Sequence, residues 1–444
     1  MSTEINNKAT RSDGKLLMSL ALPVVAENVL QTLLGTVDTF FAGQLGDNAI
    51  AAIGVTTLIV NVFLAFYTAV SVGSVAVVSR SFGQGHQEKV NSAAKQSLLL
   101  GLLIGGAAGV VSLLFNRQIL GLCGAEDAIM QQAIPYFLIV AAPSVVLCIS
   151  MILSGILRST KDAKTPMIAT VTANIANIAL NFVFIKLGFG ICGLALATTL
   201  SRVMAVTIML IALQRNKKVS LFGKGFRFEK EMFMTVAKIG LPAGLEKLIM
   251  RSGQLLYNGV IISLGTASYV AHNVGGTIDS YTYIPAMAFG VATASLVGIS
   301  LGENDPTQAK RLTFLAYKIT LAVTLTMAVI YFIFAPGLAS YFTKTQEVID
   351  ITAVVLRVNV LFVPFSSLVQ IMTSALQGAG DTKYPMFSTL IGIWGFRVCL
   401  GYLLAVVCDL GLLGFWLGCG LDQTVRGLLL LRRFATGKWK HVKI

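Results

Sequence analysis

The sequence predicts an all-α polytopic membrane protein: twelve transmembrane helices in two six-helix lobes related by a pseudo-twofold axis along the membrane normal. Three observations predict it. The composition is too apolar for a soluble chain, long apolar runs recur from end to end, and the sequence is written twice. Of 444 residues, 55% are hydrophobic and only 12% are charged, with a mean hydropathy of +0.78. Soluble domains carry about a quarter charged residues. Each run of about twenty apolar residues is long enough, as a helix, to cross about 30 Å of hydrocarbon. The runs are continuous and do not alternate, which excludes a β-barrel.

The opening "MSTEINNKATRSDG", residues 1–14, is polar and reads as an unordered cytoplasmic tail. No short apolar core with a small-residue cleavage site follows it, so no cleaved signal is expected. Spans one and two, 15–41 and 50–79, occupy the interval from Lys15 to Arg80, which contains no other Lys or Arg. Spans 92–115, 130–157, 166–187 and 190–213 complete a first lobe over 15–213. The stretch "QRNKKVSLFGKGFRFEKE" is the one long polar interruption and marks a cytoplasmic linker over 214–233. Spans 234–263, 268–300, 310–334, 348–376, 385–408 and 411–431 form a second lobe over 234–431, followed by a basic cytoplasmic tail, 432–444. Several spans exceed the length a crossing needs, so tilt, kinks or protruding turns are expected.

Alternate loops separate by charge. One set carries Arg80, Lys89 and Lys95, then Arg158, Lys161 and Lys164, then Arg215, Lys217, Lys218, Lys224, Arg227 and Lys230. It continues with Lys310, Arg311, Lys383 and the basic end through Lys443, while the opposite set holds only Arg117, Lys186 and Lys344. The excess of basic residues on one side predicts that both termini are cytoplasmic, and an even number of spans agrees. The formal charge of +14 needs no nucleic acid, because these loops would face anionic headgroups. The six cysteines show no paired C-x-x-C spacing and read as packing residues. His86, His272 and His441 are too scattered for a metal site. With no zinc-type or triad-type constellation, neither an enzyme nor a cofactor is expected.

The repeat has a constant lag of 219 residues. "LPVVAEN" at Leu22 aligns with "LPAGLEK" at Leu241, pairing Pro23 with Pro242 and Glu27 with Glu246. The same lag pairs Gly46 with Gly265, Ala52 with Ala271, and Asp162, Lys164 and Pro166 with Asp381, Lys383 and Pro385. Six spans per copy is even, so both copies face the same way. Two similar lobes suit a rocking transporter with its substrate near mid-membrane. A channel more often builds its pore from several identical subunits.

The segments "VDTFFAGQLG", "SRSFGQGH", "SGILRSTKDAKTPM" and "NIALNFVFIKLGFGICGLALAT", in this order, make the chain resemble the multidrug and toxic compound extrusion family, nearest its bacterial DinF-like branch. The resemblance implies a twelve-helix, two-lobe, monomeric exporter of the bacterial inner membrane. It implies exchange of H⁺ or Na⁺ for small organic compounds, often cations or drugs. A flippase of lipid-linked precursors is a weaker alternative, since such relatives usually carry fourteen spans.

Glu27, Gln31, Leu34, Gly35 and Asp38 recur at helical spacing and share one face of the first helix. Polar groups on one stripe of a membrane helix point to a cavity or a neighbouring helix, not to lipid. Asn174, Asn177 and Asn181 share a face of the fifth span, and Thr198 and Arg202 lie one turn apart on the sixth. By motif match, the family's cation pocket falls on Asp38, Asn177, Asn181 and Thr198. Asn181 stands where many members carry a second Asp, which weakens a Na⁺ site. A lone buried carboxylate remains a good proton carrier, because burial penalises its charged form. H⁺ is therefore the expected coupling ion, and Na⁺ the alternative. The structural readings are interhelical hydrogen bonding for the asparagines and an ion pair with Arg202 for Asp38.

Pro23 is a candidate hinge, because it removes one backbone hydrogen bond and permits a kink. In the second lobe Tyr257 occupies the position of Asp38. The tenth-span stretch "VLRVNVLFVPFSSLVQIM" offers Arg357 and Asn359 but no Asp, so a complete ion site is not expected there. Lys247 and Arg251 pair with Glu246 or reach an interface. Gln31, Asp38, Glu246, Tyr257, Asp279, Tyr281 and Met287 are candidate substrate-cavity residues, with Tyr283 and Phe289 as further apolar lining. Aromatic and methionine side chains suit a permissive site, offering cation–π faces and adaptable packing.

Overall fold

The computed structural model describes residues 2–215, 218–221, 225, 227–442 and 444, with side chains from residue 12 onward. Lys217, Lys224 and Lys443 of the basic loops lie outside the described residues. Every regular element among the described residues is helical. The first repeat holds α1 (Ser2–Gly43), α2 (Asp47–Gly83), α3 (Gln87–Leu122), α4 (Asp127–Ala141), α5 (Ser144–Ser159), α6 (Lys164–Lys186) and α7 (Gly190–Arg215). The second holds α8 (Lys230–Ser263), α9 (Thr266–Gly302), α10 (Pro306–Ser340), α11 (Gln346–Val360), α12 (Val363–Gly378), α13 (Lys383–Leu390) and α14 (Gly411–Ala435). Beyond α13 the helix continues as π-helix over Ile391–Leu400 and Leu403–Val407.

Among the described residues, eight helices are long and apolar enough to cross a bilayer, or ten when each of two bent pairs counts as one span. The bent pairs are the expected fourth and tenth spans: α4 and α5 meet at 42°, and α11 and α12 at 58°. Pro143 stands at the first break and Pro364 in the first turn after the second. A proline cannot donate into the preceding helical turn, so each span is interrupted there. The other two expected spans are α8, with Lys238, Glu246, Lys247 and Arg251, and α14, with Asp422 and Arg426. These charges lower their hydropathy.

The repeat extends to backbone geometry. Left-handed φ values occur at Gly46 and Gly265 (103° and 97°), Gly85 and Asn304 (71° and 58°), Lys161 and Gly380 (64° and 86°), and Gly190 and Asp409 (both 54°). Each pair keeps the lag found in the sequence. The helical geometry of α3 breaks at Phe115, and that of α10 breaks at its counterpart Phe334.

The chain forms two compact units, Leu22–Gly244 and Met1–Ala21 with Leu245–Ile444. Their limits lie inside α1 and α8, beside the two Leu-Pro pairs, and not in the polar linker. The first turns of α8 pack tightly on α2. A Cβ on Gly73 would lie 2.2 Å from the Val236 carbonyl oxygen, and one on Gly240 would lie 2.2 Å from that of Ala69. The core of this unit gathers Ile59, Phe137, Tyr136 and Leu194.

The opening segment, expected to be unordered, is helical, and the basic tail is packed. α1 begins at Ser2, and Asp13, 4% exposed, pairs with Arg311 of α10. No proline or capping glycine precedes Gly14, so nothing stops the helix earlier. At the other end Gly437 turns the chain (φ 69°), and the fully buried Trp439 stacks on Phe434 at 4.6 Å and 4°. Arg433 binds Asp381 at 2.8 Å and lies over the Tyr384 ring. Elsewhere large apolar side chains face outward, among them Leu114, Ile175 and Leu255, as expected of helices surrounded by lipid.

Candidate functional site

In the unit Leu22–Gly244, α1, α6 and α7 bring together all four residues of the predicted pocket. Asn181 Nδ2 donates to Asp38 Oδ1 at 2.8 Å and to Asn177 Oδ1 at 2.9 Å. Asn177 Nδ2 donates to Thr198 Oγ1 at 3.4 Å; with the amide turned over, it would donate to Asp38 Oδ1 at 3.1 Å. Both asparagines are fully buried. The Oδ1 of Asn181 is buried with no hydrogen-bond partner. Spacings of four and seven residues along α6 put Asn181, Asn177 and Asn174 on one stripe. Asn174 instead ties α6 to the backbone of α1, donating to the Leu30 carbonyl at 3.1 Å.

Arg202 acts on Asp38 through its charge, but the two form no ion pair among the described residues. Asp38 is therefore held by amides and not by a guanidinium. The cluster presents one carboxylate among neutral oxygens and N–H groups. Chemically, such a set can exchange a proton or offer hard oxygens to a small cation.

The stripe on α1 divides. Glu27 is 5% exposed and pairs with Arg158 of α5 at 2.5 Å, with Thr170 of α6 at 3.5 Å, while Gln31 is exposed. α1 runs as one helix through Pro23. The repeat reproduces the Glu27 arrangement. Glu246 of α8 accepts from Gln377 at 3.0 Å and from Thr389 at 3.4 Å. Gln377 and Thr389 are the counterparts of Arg158 and Thr170, so the second copy keeps the geometry and loses the cation. Glu246 thus binds neither Lys247 nor Arg251, and the latter donates to Gln254 at 3.0 Å.

A cavity of about 480 Å³ opens within the unit Leu245–Ile444. Of the predicted cavity residues, Tyr257 and Asp279 line it. Glu246, Tyr281 and Met287 lie elsewhere: Glu246 is buried behind Gln377, and Tyr281, like Tyr283, is exposed, while Phe289 is buried. Asp279 Oδ1 accepts from Asn359 at 2.7 Å and from Thr282 at 3.2 Å, so Asn359 of the tenth span serves the acid of the eighth. Arg357 caps the Phe332 carbonyl at 3.3 Å.

The remaining lining was not picked out in the sequence. His272 faces Phe415 and Trp416, at 5.7 and 5.8 Å between ring centroids. Arg397, on the π-helical stretch, reaches Asp422 at 2.7 Å. Asp422 is fully buried and also binds Arg426 at 2.7 Å. The Asp422–Arg426 pair, four residues apart in an apolar run, was the available signal. Arg397 gave none, because its partner is set by tertiary packing.

The sequence profile of the MatE family matches residues 23–183 and 242–403, most of both repeats. The chain belongs to the MatE family. It is 30% identical over 436 residues to the probable multidrug resistance protein NorM of Thermotoga maritima, covering 96% of this chain and 93% of that protein. It is 27% identical to the uncharacterized transporter YisQ of Bacillus subtilis, covering 95% and 94%. Its fold matches a crystal structure of MATE in the bent conformation, with a TM-score of 0.91, 24% identity and 98% of each chain covered. It also matches MATE in complex with MaL6, with a TM-score of 0.88, 25% identity and coverage of 97% and 98%. Membership makes the chain a multi-pass membrane transporter of a multidrug efflux family. Asp38, Asn177 and Asn181 fall inside the first MatE match, while Thr198 lies in the interval between the two matches.

Proposed function

We propose that this chain exports small organic compounds, often cations, in exchange for H⁺. It would act as a single chain in a bacterial inner membrane, with both termini cytoplasmic and its binding site exposed alternately to the two sides. The cluster at Asp38 carries the reading. One carboxylate is held by Asn181 and forms no ion pair among the described residues. Its charge changes by one on protonation, which gives a proton gradient a hold on the conformational equilibrium. The family's many multidrug resistance relatives support the substrate class, and Pro23 within α1 supplies a place to bend.

A specific observation favours Na⁺ as the second reading. The buried Oδ1 of Asn181 lacks a donor, and with Asp38 and Thr198 it offers oxygens to a small cation. Purified protein in vesicles decides between them. With ethidium as substrate, an imposed pH gradient should drive transport without Na⁺, and Asp38→Asn should abolish that transport while leaving expression and folding intact. Transport that follows a Na⁺ gradient and ignores pH would replace the first reading with the second.

A further inference from the structure

The cavity of the unit Leu245–Ile444 is polarised in a way that the Asp38 cluster is not. Its acid is already provided for, since Asp279 accepts hydrogen bonds from Asn359 and Thr282. Its base is not. Asp422 shares its single charge between Arg397 and Arg426, and Asp279 on the same wall feels the Arg397 charge, so the charges balance in number while the hydrogen-bond donors stay unfilled. The Nε of Arg397 and the Nε1 of Trp416 are buried donors with no acceptor, and both residues line the cavity. Trp416 is only 6% exposed. His272 Nδ1, a donor in one tautomer, is likewise unpartnered, and Gln423 Oε1 is an unfilled acceptor beside them.

The wall is aromatic. Tyr257 and Phe415 lie 5.3 Å apart between ring centroids, and the Arg397 guanidinium stands 5.9 Å over the Tyr257 ring. Unfilled donors around a guanidinium call for an acceptor, and carboxylate matches the planar fork of Arg. The ring faces call for a flat apolar body. The volume lies within the range of small-molecule sites, about 300–1,000 Å³.

From this we infer that the cavity is a binding site for aromatic compounds bearing a carboxylate, the acid on Arg397 and Trp416 Nε1 and the ring against Tyr257 and Phe415. The inference rests on the exporter reading for its purpose, and extends the substrates from organic cations to aromatic acids.

Three indoles that differ in charge test it by calorimetry on the detergent-purified full chain: indole-3-propionate, tryptamine and 3-ethylindole. Indole-3-propionate should bind at least about tenfold more tightly than tryptamine or 3-ethylindole, as expected of one charge-assisted bidentate contact. Arg397→Gln should remove that preference, and Asp422 keeps Arg426 as its partner in that variant. Trp416→Phe keeps the ring and deletes the N–H. It should weaken indole-3-propionate several-fold, which provides a second route if Arg397→Gln does not fold. Tryptamine binding as tightly as indole-3-propionate, or an undiminished preference in a folded Arg397→Gln, overturns the proposal. Proton-driven ethidium export without indole-3-propionate binding would overturn this site alone. Selective binding in a protein that moves ethidium under neither a pH gradient nor a Na⁺ gradient would support the site and remove the exporter reading.

Discussion

Asp38, Asn177 and Asn181 show how a half-buried acid can be held within a membrane helix without an ion pair. Asn181 donates to the carboxylate and is tied in turn to Asn177 and, through it, to Thr198, so neutral groups hold the charge and no ion pair pins it. A second carboxylate at position 181 would change the charge of the cluster, so Asn181→Asp is expected to confer a Na⁺ response on vesicle transport. Unchanged Na⁺-independent export by that variant would exclude a role for the residue in ion choice. The two repeat-related glutamates differ in what they would leave behind. Replacing Glu27 strands Arg158, whose side chain is 14% exposed, and removing one partner of a buried pair costs about 3–5 kcal/mol. Replacing Glu246 leaves only the neutral Gln377 and Thr389. Thermal unfolding in detergent should therefore show a clearly larger loss for Glu27→Gln than for Glu246→Gln.

At the scale of elements, the contact between α2 and α8 depends on missing side chains. Gly73 and Gly240 each bring a backbone carbonyl of the other helix closer than any Cβ permits. Close approach of this kind supplies the van der Waals packing that joins helices in lipid, where no hydrophobic driving force acts between them. Gly73→Ala should push the helices apart and destabilise the unit by at least about 1–3 kcal/mol. Gly106→Ala in α3 meets only Val145 Cγ2 at 3.9 Å and should be neutral or stabilising, by up to about 1 kcal/mol. The pair of variants, compared by melting temperature and yield, separates crowding from the intrinsic effect of alanine. The π-helical stretch after α13 is the element where the second repeat departs most from the first. Its counterpart α6 is regular and carries the asparagines, whereas the π-helix carries Arg397.

For the whole molecule, the charge asymmetry of the loops is the argument for orientation. Reporter fusions after Ile444 should read cytoplasmic, and one at Asp127, the first residue of α4, should read periplasmic. A periplasmic C-terminus would overturn both the count of twelve spans and the proposed direction of export. The two compact units share a backbone plan down to single φ values, yet their polar interiors differ. One has Asp38 among amides, and the other has Tyr257 at the matching position and its charges at Asp279, Arg397 and Asp422. Duplication preserved what bends the chain and left free what lines the interior.

The family resemblance grouped Asp38 with Asn177, Asn181 and Thr198; the sequence by itself determined the membrane class, the repeat and its lag, and the polar stripes on single helices. These are local or periodic properties: apolar run length, a fixed spacing of glycines and prolines, and polar residues on one helical stripe. It did not determine the breaks within the fourth and tenth spans, the ordered ends, or the partners of Glu27 and Glu246. Tertiary structure alone joined His272, Arg397 and Trp416 into one cavity, because they come from three separate helices and share no periodicity. Which charge meets which across helices depends on how the helices are rotated and packed, and that is fixed by contacts such as those of Gly73 and Gly240, which no single stripe records.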